Sequence, residues 1–476
     1  MSQLPNGWEM VVGLEVHTEL LTKSKLFCGC ENHFGSEPNS NVCPVCLGLP
    51  GSLPVLNHEA VELGMRIGMA LHCTIAPSTF HRKNYFYPDQ SKDYQISQYD
   101  LPLNSGGYLD LPDGSRVGIE RAHMEEDTGK TTHMGGSGRL AGAERSLVDY
   151  NRCGVPLVEI VSAPDIRSAA QARAYAAELR GILIATGASD GRMEEGSMRI
   201  DANVSVRKTG EPFGTRCEIK NLNSLRSLQR AIDYEALRQI DILEEGGRIR
   251  QETRHWDETA GETSTLRVKE DAEDYRYFRD PDLVDLAPSQ EWQDAVRAAL
   301  PAMPAERRAA VAAMVASPTS AQLDAIEVVV DLGLERFIHE TVAQGGDAAL
   351  AISRVANELA SNVDQAQHLN VSAFVATVKM EQSGALSATQ AKEILGVLME
   401  SGGDPVAIAA AKGYEQMSSD SLGAIVEELI TANPDEWGRY RDGDDKLAGF
   451  FTGLVMKATQ GKANGKAVVA ELQARR

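Results

Sequence analysis

Apolar residues recur in this chain with two periods, and the switch between them divides it. From Val11 to Leu20 the order VVGLEVHTEL alternates. Leu14 and Val16 then share one face of an extended strand, and Glu15, His17 and Glu19 the other. Leu157–Val161, Met198–Val206 and Thr215–Lys220 read as further strands. Over 198–207, Arg199, Asp201, Asn203 and Ser205 alternate with Ile200, Ala202, Val204 and Val206. Over 215–220, Arg216, Glu218 and Lys220 oppose Cys217 and Ile219. Two helices interrupt these strands. One runs from Ser168 to about Thr186, with Ser168 and Gln171 at capping-box spacing and Gly187 suited to its end. The other runs from Ser224 to Glu245. Its Leu225, Leu228, Ile232, Ala236, Ile240 and Leu243 form one apolar stripe, and Gly246-Gly247 stops it. Pro281, Pro288, Pro301 and Pro304 then mark a boundary. Beyond it the chain is Ala-rich and helical, with breaks at Gly345-Gly346 and Gly402-Gly403. The expectation is an α+β fold: a large mixed domain, a helical domain and a small helical tail.

Length agrees with this division. At about 150 residues per domain, 476 residues make two to four domains. Hydrophobic content of 42% and charged content of 24% fit a packed globular protein rather than a disordered chain. A net charge of −21 excludes a surface that is basic all over, but leaves room for a local RNA-binding patch. No apolar run approaches a membrane span, and the N-terminus has neither the basic nor the apolar region of a secretory signal. The cytoplasm is the expected compartment.

Three phosphate- or nucleophile-like fragments fail on inspection. Gly129-Lys130-Thr131 lacks the upstream glycine of a phosphate loop, where Met124 stands. Gly136-Ser137-Gly138-Arg139-Leu140-Ala141 fits a dinucleotide pattern but follows no apolar strand. The run at 135–138 resembles an amidase serine loop without the rest of that signature.

Four of the seven cysteines cluster. Cys28-Gly-Cys30 and Cys43-Pro-Val-Cys46 form two knuckles twelve residues apart, a spacing that closes a tetrahedral structural zinc site. Four sulfurs leave no open position for chemistry. A second concentration is acidic: Glu15, His17 and Glu19 on one strand face, three acids in His123-Met-Glu-Glu-Asp127, and Glu159 inside the apolar run LVEIV. A carboxylate in apolar surroundings must be paired or metal-bound. Glu15, His17, Glu125 or Glu126, and Glu159 are therefore candidate Mg²⁺ ligands, and oxygen-rich ligation suits Mg²⁺ bridging ATP phosphates. The spacing does not choose between Glu125 and Glu126. Arg199 and Lys220 are candidate cations for a transferring phosphate, with Asp201 and Glu218 beside them; ordinary cross-strand ion pairing is the competing reading.

Nine segments carry a resemblance: GLEVHTEL (13–20), RKNYFYPDQ (82–90), YQISQYD (94–100), HMEEDTGK (123–130), DYNRCGVPLVEIVS (149–162), RIDANVSVR (199–207), EIKNLNS (218–224), DYRYFRDPDL (274–283) and FFTGLVMKATQGKAN (450–464). Together they resemble the GatB family, the B subunits of the tRNA-dependent amidotransferases. Arg279 and Gly465 depart from it, each standing where the family often has proline.

The resemblance implies a cradle domain over 1–294 with a glutamine-synthetase-like antiparallel sheet and a zinc-ribbon-like insert at about 26–48. A helical domain over 295–402 and a tRNA-binding helical tail over 403–476 follow. It implies a heterotrimer with two partners, an amidase that acts as the glutaminase and a small third protein. With ATP and Mg²⁺ the chain would phosphorylate the side-chain carboxylate of Glu-tRNA(Gln) or Asp-tRNA(Asn). Ammonia from the glutaminase would then displace phosphate. Carried over by motif, Glu15, His17, Glu125 or Glu126, and Glu159 would ligate Mg²⁺. A basic tail would meet tRNA phosphates through Lys457, Lys462 and Lys466, with Arg475 and Arg476 set against Glu471. Two other readings share some of these features. One is a free-standing ATP-dependent amidoligase acting on a small amino acid. The other is a non-catalytic tRNA-binding scaffold.

Overall fold

A computed structural model describes residues 4–5, 7–135, 142–268, 275–414, 419–459, 463 and 465–476. The Gly-Ser-Gly fragment at 136–141 and Lys462 lie outside them, as does the side chain of Lys466. The chain divides into two compact units, Met1–Met303 and Pro304–Arg476.

In the first unit the strands are β1 (Trp8–Glu19), β2 (Thr74–Ile75), β3 (His81–Asn84), β4 (Tyr94–Ser97), β5 (Asn104–Asp110), β6 (Arg116–Glu126), β7 (Lys130–Met134), β8 (Arg145–Asp149), β9 (Pro156–Ser162), β10 (Met198–Lys208), β11 (Cys217–Lys220), β12 (Glu252–Asp257), β13 (Glu262–Val268) and β14 (Phe278–Arg279). Helix α1 (His58–Ala70) follows β1, α2 (Ala169–Ala185) follows β9, α3 (Leu225–Glu244) follows β11, and α4 (Gln290–Ala298) closes the unit. Twelve strands form one sheet, ordered β13-β12-β11-β10-β1-β9-β6-β4-β3-β14, with β2 and β5 attached beside β6; β7 and β8 form a separate hairpin.

The sheet is mixed: its described pairings are antiparallel except β11 with β12. Those two strands are joined by α3, and a helical crossover returns the chain in the same direction.

One face of the sheet is covered and the other is open. Val12, Leu14, Val16, Val158, Ile160, Ala202 and Val204 pack with α1, α2 and α3 into one core. The alternation of β1 and β10 thus faces its apolar set to the helices and its charged set to the cleft, as expected for a half-covered sheet. The caps also form. The Ser168 side chain accepts from Gln171 N, and that of Ser224 from Ser227 N. The capping box is incomplete, because Gln171 accepts from Arg167 N instead, one residue early. Gly187 follows α2 at φ +69°. Within the first unit, Trp292 of α4 stacks on His58 of α1.

The second unit is helical and holds two hydrophobic clusters. One spans Val311 to Ala409, the other Leu422 to Leu472. Among the described residues no single helix is long and apolar enough to cross a membrane.

Candidate functional site

Strand register assembles the site. His17 on β1 stands opposite Glu159 on β9, and Glu159 stands opposite His123 on β6. Glu125 lies two residues along β6 from His123 and therefore on the same face. The side chains converge. His17 Nε2 is 3.5 Å from Glu125 Oε1 and 3.5 Å from Glu159 Oε2, and His123 Nε2 is 3.4 Å from Glu159 Oε2. His17, Glu125 and Glu159 each offer one ligand atom, all within 4.8 Å of one another. Octahedral Mg²⁺ with bonds near 2.1 Å places adjacent ligands about 3 Å apart, so a small closure of this trio fits that ion.

Electrostatics separates these groups. Burial opposes charge on His17, but the hydrogen bond to Glu159 and the negative charge of Glu125 raise its pKa to about 9. Burial, with repulsion from Glu159, lifts Glu125 to about 7. For Glu159, burial raises the pKa, but the two histidines outweigh it and hold the carboxyl below the usual range. Burial lowers His123 to about 4. The carboxylates around His17 favour positive charge at this point of the cleft.

Glu126 goes elsewhere. It turns inward, pairs with the buried ammonium of Lys92 and accepts from Ile96 N at 2.9 Å. Of the two glutamates that spacing left open, the structure brings Glu125 to the cleft. Glu15 lies on the cleft face but outside the trio, held by Asn203 Nδ2 at 2.9 Å, and burial raises its pKa.

The cluster lies where two lobes of a cleft meet. The wider lobe encloses about 910 Å³ and the narrower about 410 Å³; His17, Lys83, Glu125, Glu159, Asp201 and Lys220 line both. Arg199 and Lys220 reach the cleft as the alternation implies, but neither is a free cation. Arg199 donates to Asp127 at 2.9 Å, and Lys220 pairs with Asp201 at 2.6 Å and Glu218 at 2.9 Å. Glu218 also accepts from Thr253 Oγ1 at 2.9 Å.

The cation that sequence reasoning missed is Lys83 on β3. It pairs with no carboxylate among the described residues and rests over the Tyr275 ring at 4.7 Å. Its motif, RKNYFYPDQ, was visible; only the pairing of β3 with β4, and of β4 with β6, brings it here. Tyr99 and Tyr277 stack at 4.0 Å and line the narrower lobe.

The second cluster also forms. Cys28, Cys30, Cys43 and Cys46 each bring a sulfur within 4.8 Å of the others. Cys43 and Cys46 sulfurs are 3.8 Å apart, the edge of a tetrahedron with Zn–S bonds of about 2.3 Å. Cys73, Cys153 and Cys217 are buried and free. In the second unit, Lys457 is exposed at the end of the helix Leu447–Ala458. Arg475 and Arg476 are committed to ion pairs with Glu427, Glu471 and Asp445. Arg279 pairs with Asp285, and Gly465 opens the last helix.

Fold and site define a class: a sheet with one helix-covered face and, on its open face, a two-lobed polar cleft centred on a His–Glu–Glu cluster that fits a divalent cation. Comparison with known proteins is more specific. The GatB/GatE catalytic domain family matches residues 10–294, a GatB domain matches residues 336–475, and the chain belongs to the GatB family. It is 48% identical over 480 residues to the B subunit of the aspartyl/glutamyl-tRNA(Asn/Gln) amidotransferase of Nocardia farcinica, covering 97% of this chain and 94% of that protein. It is 47% identical over 478 residues to the protein of the same name from Carboxydothermus hydrogenoformans, covering 97% of each.

Proposed function

We propose that this chain carries the ATP-dependent half of amide synthesis on tRNA. A side-chain carboxylate oxygen of Glu-tRNA(Gln) or Asp-tRNA(Asn) attacks the γ-phosphorus of ATP, and the bond to ADP breaks. Ammonia then attacks the acyl carbon, phosphate leaves, and Gln-tRNA(Gln) or Asn-tRNA(Asn) is the product. The observation that carries the reading is the meeting of two lobes at His17, Glu125 and Glu159, since two substrates must meet at one charged centre. Bound by those three residues, Mg²⁺ supplies neutralisation of phosphate charge.

The chain's own groups do the rest. Lys83, uncommitted to any carboxylate among the described residues, meets the transferring phosphoryl group. Asp127 fixes Arg199, and Asp201 with Glu218 fixes Lys220, so both cations are oriented before substrate arrives. Glu15 stands beside the ligand trio in the narrower lobe.

The remaining parts follow the family. The first domain, 1–294, is a glutamine-synthetase-like cradle with structural zinc on Cys28, Cys30, Cys43 and Cys46. Domain 295–402 is helical, and 403–476 contacts tRNA through Lys457, Lys462 and Lys466. The glutaminase and the small third protein complete a cytoplasmic heterotrimer.

The test is reconstitution with both partner proteins, glutamine, ATP, Mg²⁺ and either misacylated tRNA, measuring amide on the tRNA-bound residue. Wild type forms it. Glu125→Gln loses it while glutamine hydrolysis persists. Amidation of a free amino acid without tRNA would restore the amidoligase reading. A fully active Glu125→Gln would point to the scaffold.

A further inference from the structure

Lys25 is completely buried, with 0% of its surface exposed. Its Nζ donates to Asn41 O at 2.8 Å and Tyr150 O at 3.4 Å, and lies 3.8 Å from Cys46 Sγ. No carboxylate among the described residues pairs with it. An ammonium ion taken wholly out of water without an anion is strongly destabilising. Carbonyl dipoles solvate the ion but do not neutralise it. Cys46 Sγ at 3.8 Å belongs to the four-cysteine cluster, which supplies negative charge when its sulfurs are thiolates. Four thiolates around one Zn²⁺ carry a net charge of two minus, which calls for a buried cation beside it.

The second knuckle and the turn after it pack against Ser91 and Lys92, and Lys92 pairs with Glu126 on β6. Gly48, at φ +67°, presses so closely on Lys92 that an added Cβ would stand 2.5 Å from its Cγ. Ser91 Oγ donates to Cys46 O at 2.7 Å. Gly154, at φ +84°, fills the gap between the two sites: a Cβ there would lie 3.6 Å from Lys25 Cδ, 3.7 Å from Cys46 Cβ and 3.7 Å from Glu126 Oε2. A continuous packed path therefore runs from the cysteine cluster and Lys25, through Gly154, to the Lys92–Glu126 pair. Glu125 is the next residue on β6.

We propose that Lys25 is the counter-cation of the zinc tetrathiolate, a positioning residue that ties metal loading to the packing behind Glu125. The inference rests on the zinc reading above. Its test uses the full chain assembled with its two partner proteins: wild type, Lys25→Gln and Lys25→Arg. Zinc content is measured, zinc is then competed with a chromophoric chelator, and each protein is melted with and without zinc. Wild type retains zinc. Lys25→Gln, neutral and of similar length, binds zinc about 10- to 100-fold more weakly, the range for loss of an outer-shell partner. Its zinc-dependent rise in Tm shrinks. Lys25→Arg keeps the charge and stays near wild-type affinity.

A role in packing alone would lower the melting temperature with and without zinc by similar amounts, and that result overturns the proposal. So does a Lys25→Gln protein with wild-type zinc affinity. Should Lys25→Gln fail to accumulate, Lys25→Arg decides: retained zinc supports the charge role, and lost zinc overturns it. A wild-type complex without zinc overturns the zinc reading itself, a failure separate from that of Lys25.

Discussion

Glu125 and Glu126 are neighbours of identical chemistry and opposite fate. Strand alternation sends Glu125 to the cleft and Glu126 inward to Lys92. Their neutral variants should therefore fail differently. Glu125→Gln keeps its thermal transition near wild type and loses amidation. Glu126→Gln leaves the Lys92 ammonium buried without a partner, at a cost of about 3–5 kcal/mol, seen as a fall in Tm. Equal melting of wild type and Glu126→Gln would refute the pairing argument. Lys83 is the third residue whose role turns on its surroundings. Lys83→Met should lower kcat for amidation by about 10²–10³, the scale for one lost transition-state contact, with the KM for ATP little changed. A rise in KM at constant kcat would instead make Lys83 a binding residue. Arg199 and Lys220 were legible as cleft-facing cations from alternation alone. Ion pairing was the competing reading from the same alternation, and both cations are paired, Lys220 with Asp201 and Glu218 and Arg199 with Asp127; the Asp127 partner, just past the end of β6, is the one that alternation did not offer.

At the level of strands and helices, local signals read well where they were strong. Strand β1 extends from Trp8 to Glu19 around the alternating run, and α3 follows its apolar stripe from the Ser224 cap. Ser224→Ala should destabilise the first unit by about 1 kcal/mol, the usual loss for a missing N-cap, with catalysis intact in the folded fraction. A Tm equal to wild type would show that tertiary packing replaces the cap. The Ser168–Gln171 box was half right: the serine caps, but the glutamine reaches Arg167 N. Sequence spacing states which groups are near, and the entry angle of the chain selects the donor. The parallel pair β11–β12 could not be read from alternation, which is blind to strand direction; it follows from the α3 crossover.

For the molecule as a whole, the proposed function divides the chemistry between chains, with nitrogen arriving as ammonia from the glutaminase partner. In the assembled complex with glutamine withheld, an ammonium salt should sustain amidation of the misacylated tRNA. Failure with ammonium while glutamine works would mean that nitrogen never becomes free. In the tail, Arg475 and Arg476 are tied to Glu427, Glu471 and Asp445, and Lys457 is exposed at the end of its helix.

Periodicity and motif were sufficient for the family, the α+β character, the four-cysteine cluster and the face of β1 that carries Glu15 and His17. These are local properties, written in spacing along one segment. The choice of Glu125 over Glu126, the arrival of Lys83, the buried pairing of Lys92 and the enclosure of Lys25 were settled by folding alone. Each depends on which strands become neighbours and in what register. That is a matter of long-range packing, where a shift of one residue exchanges the cleft for the core.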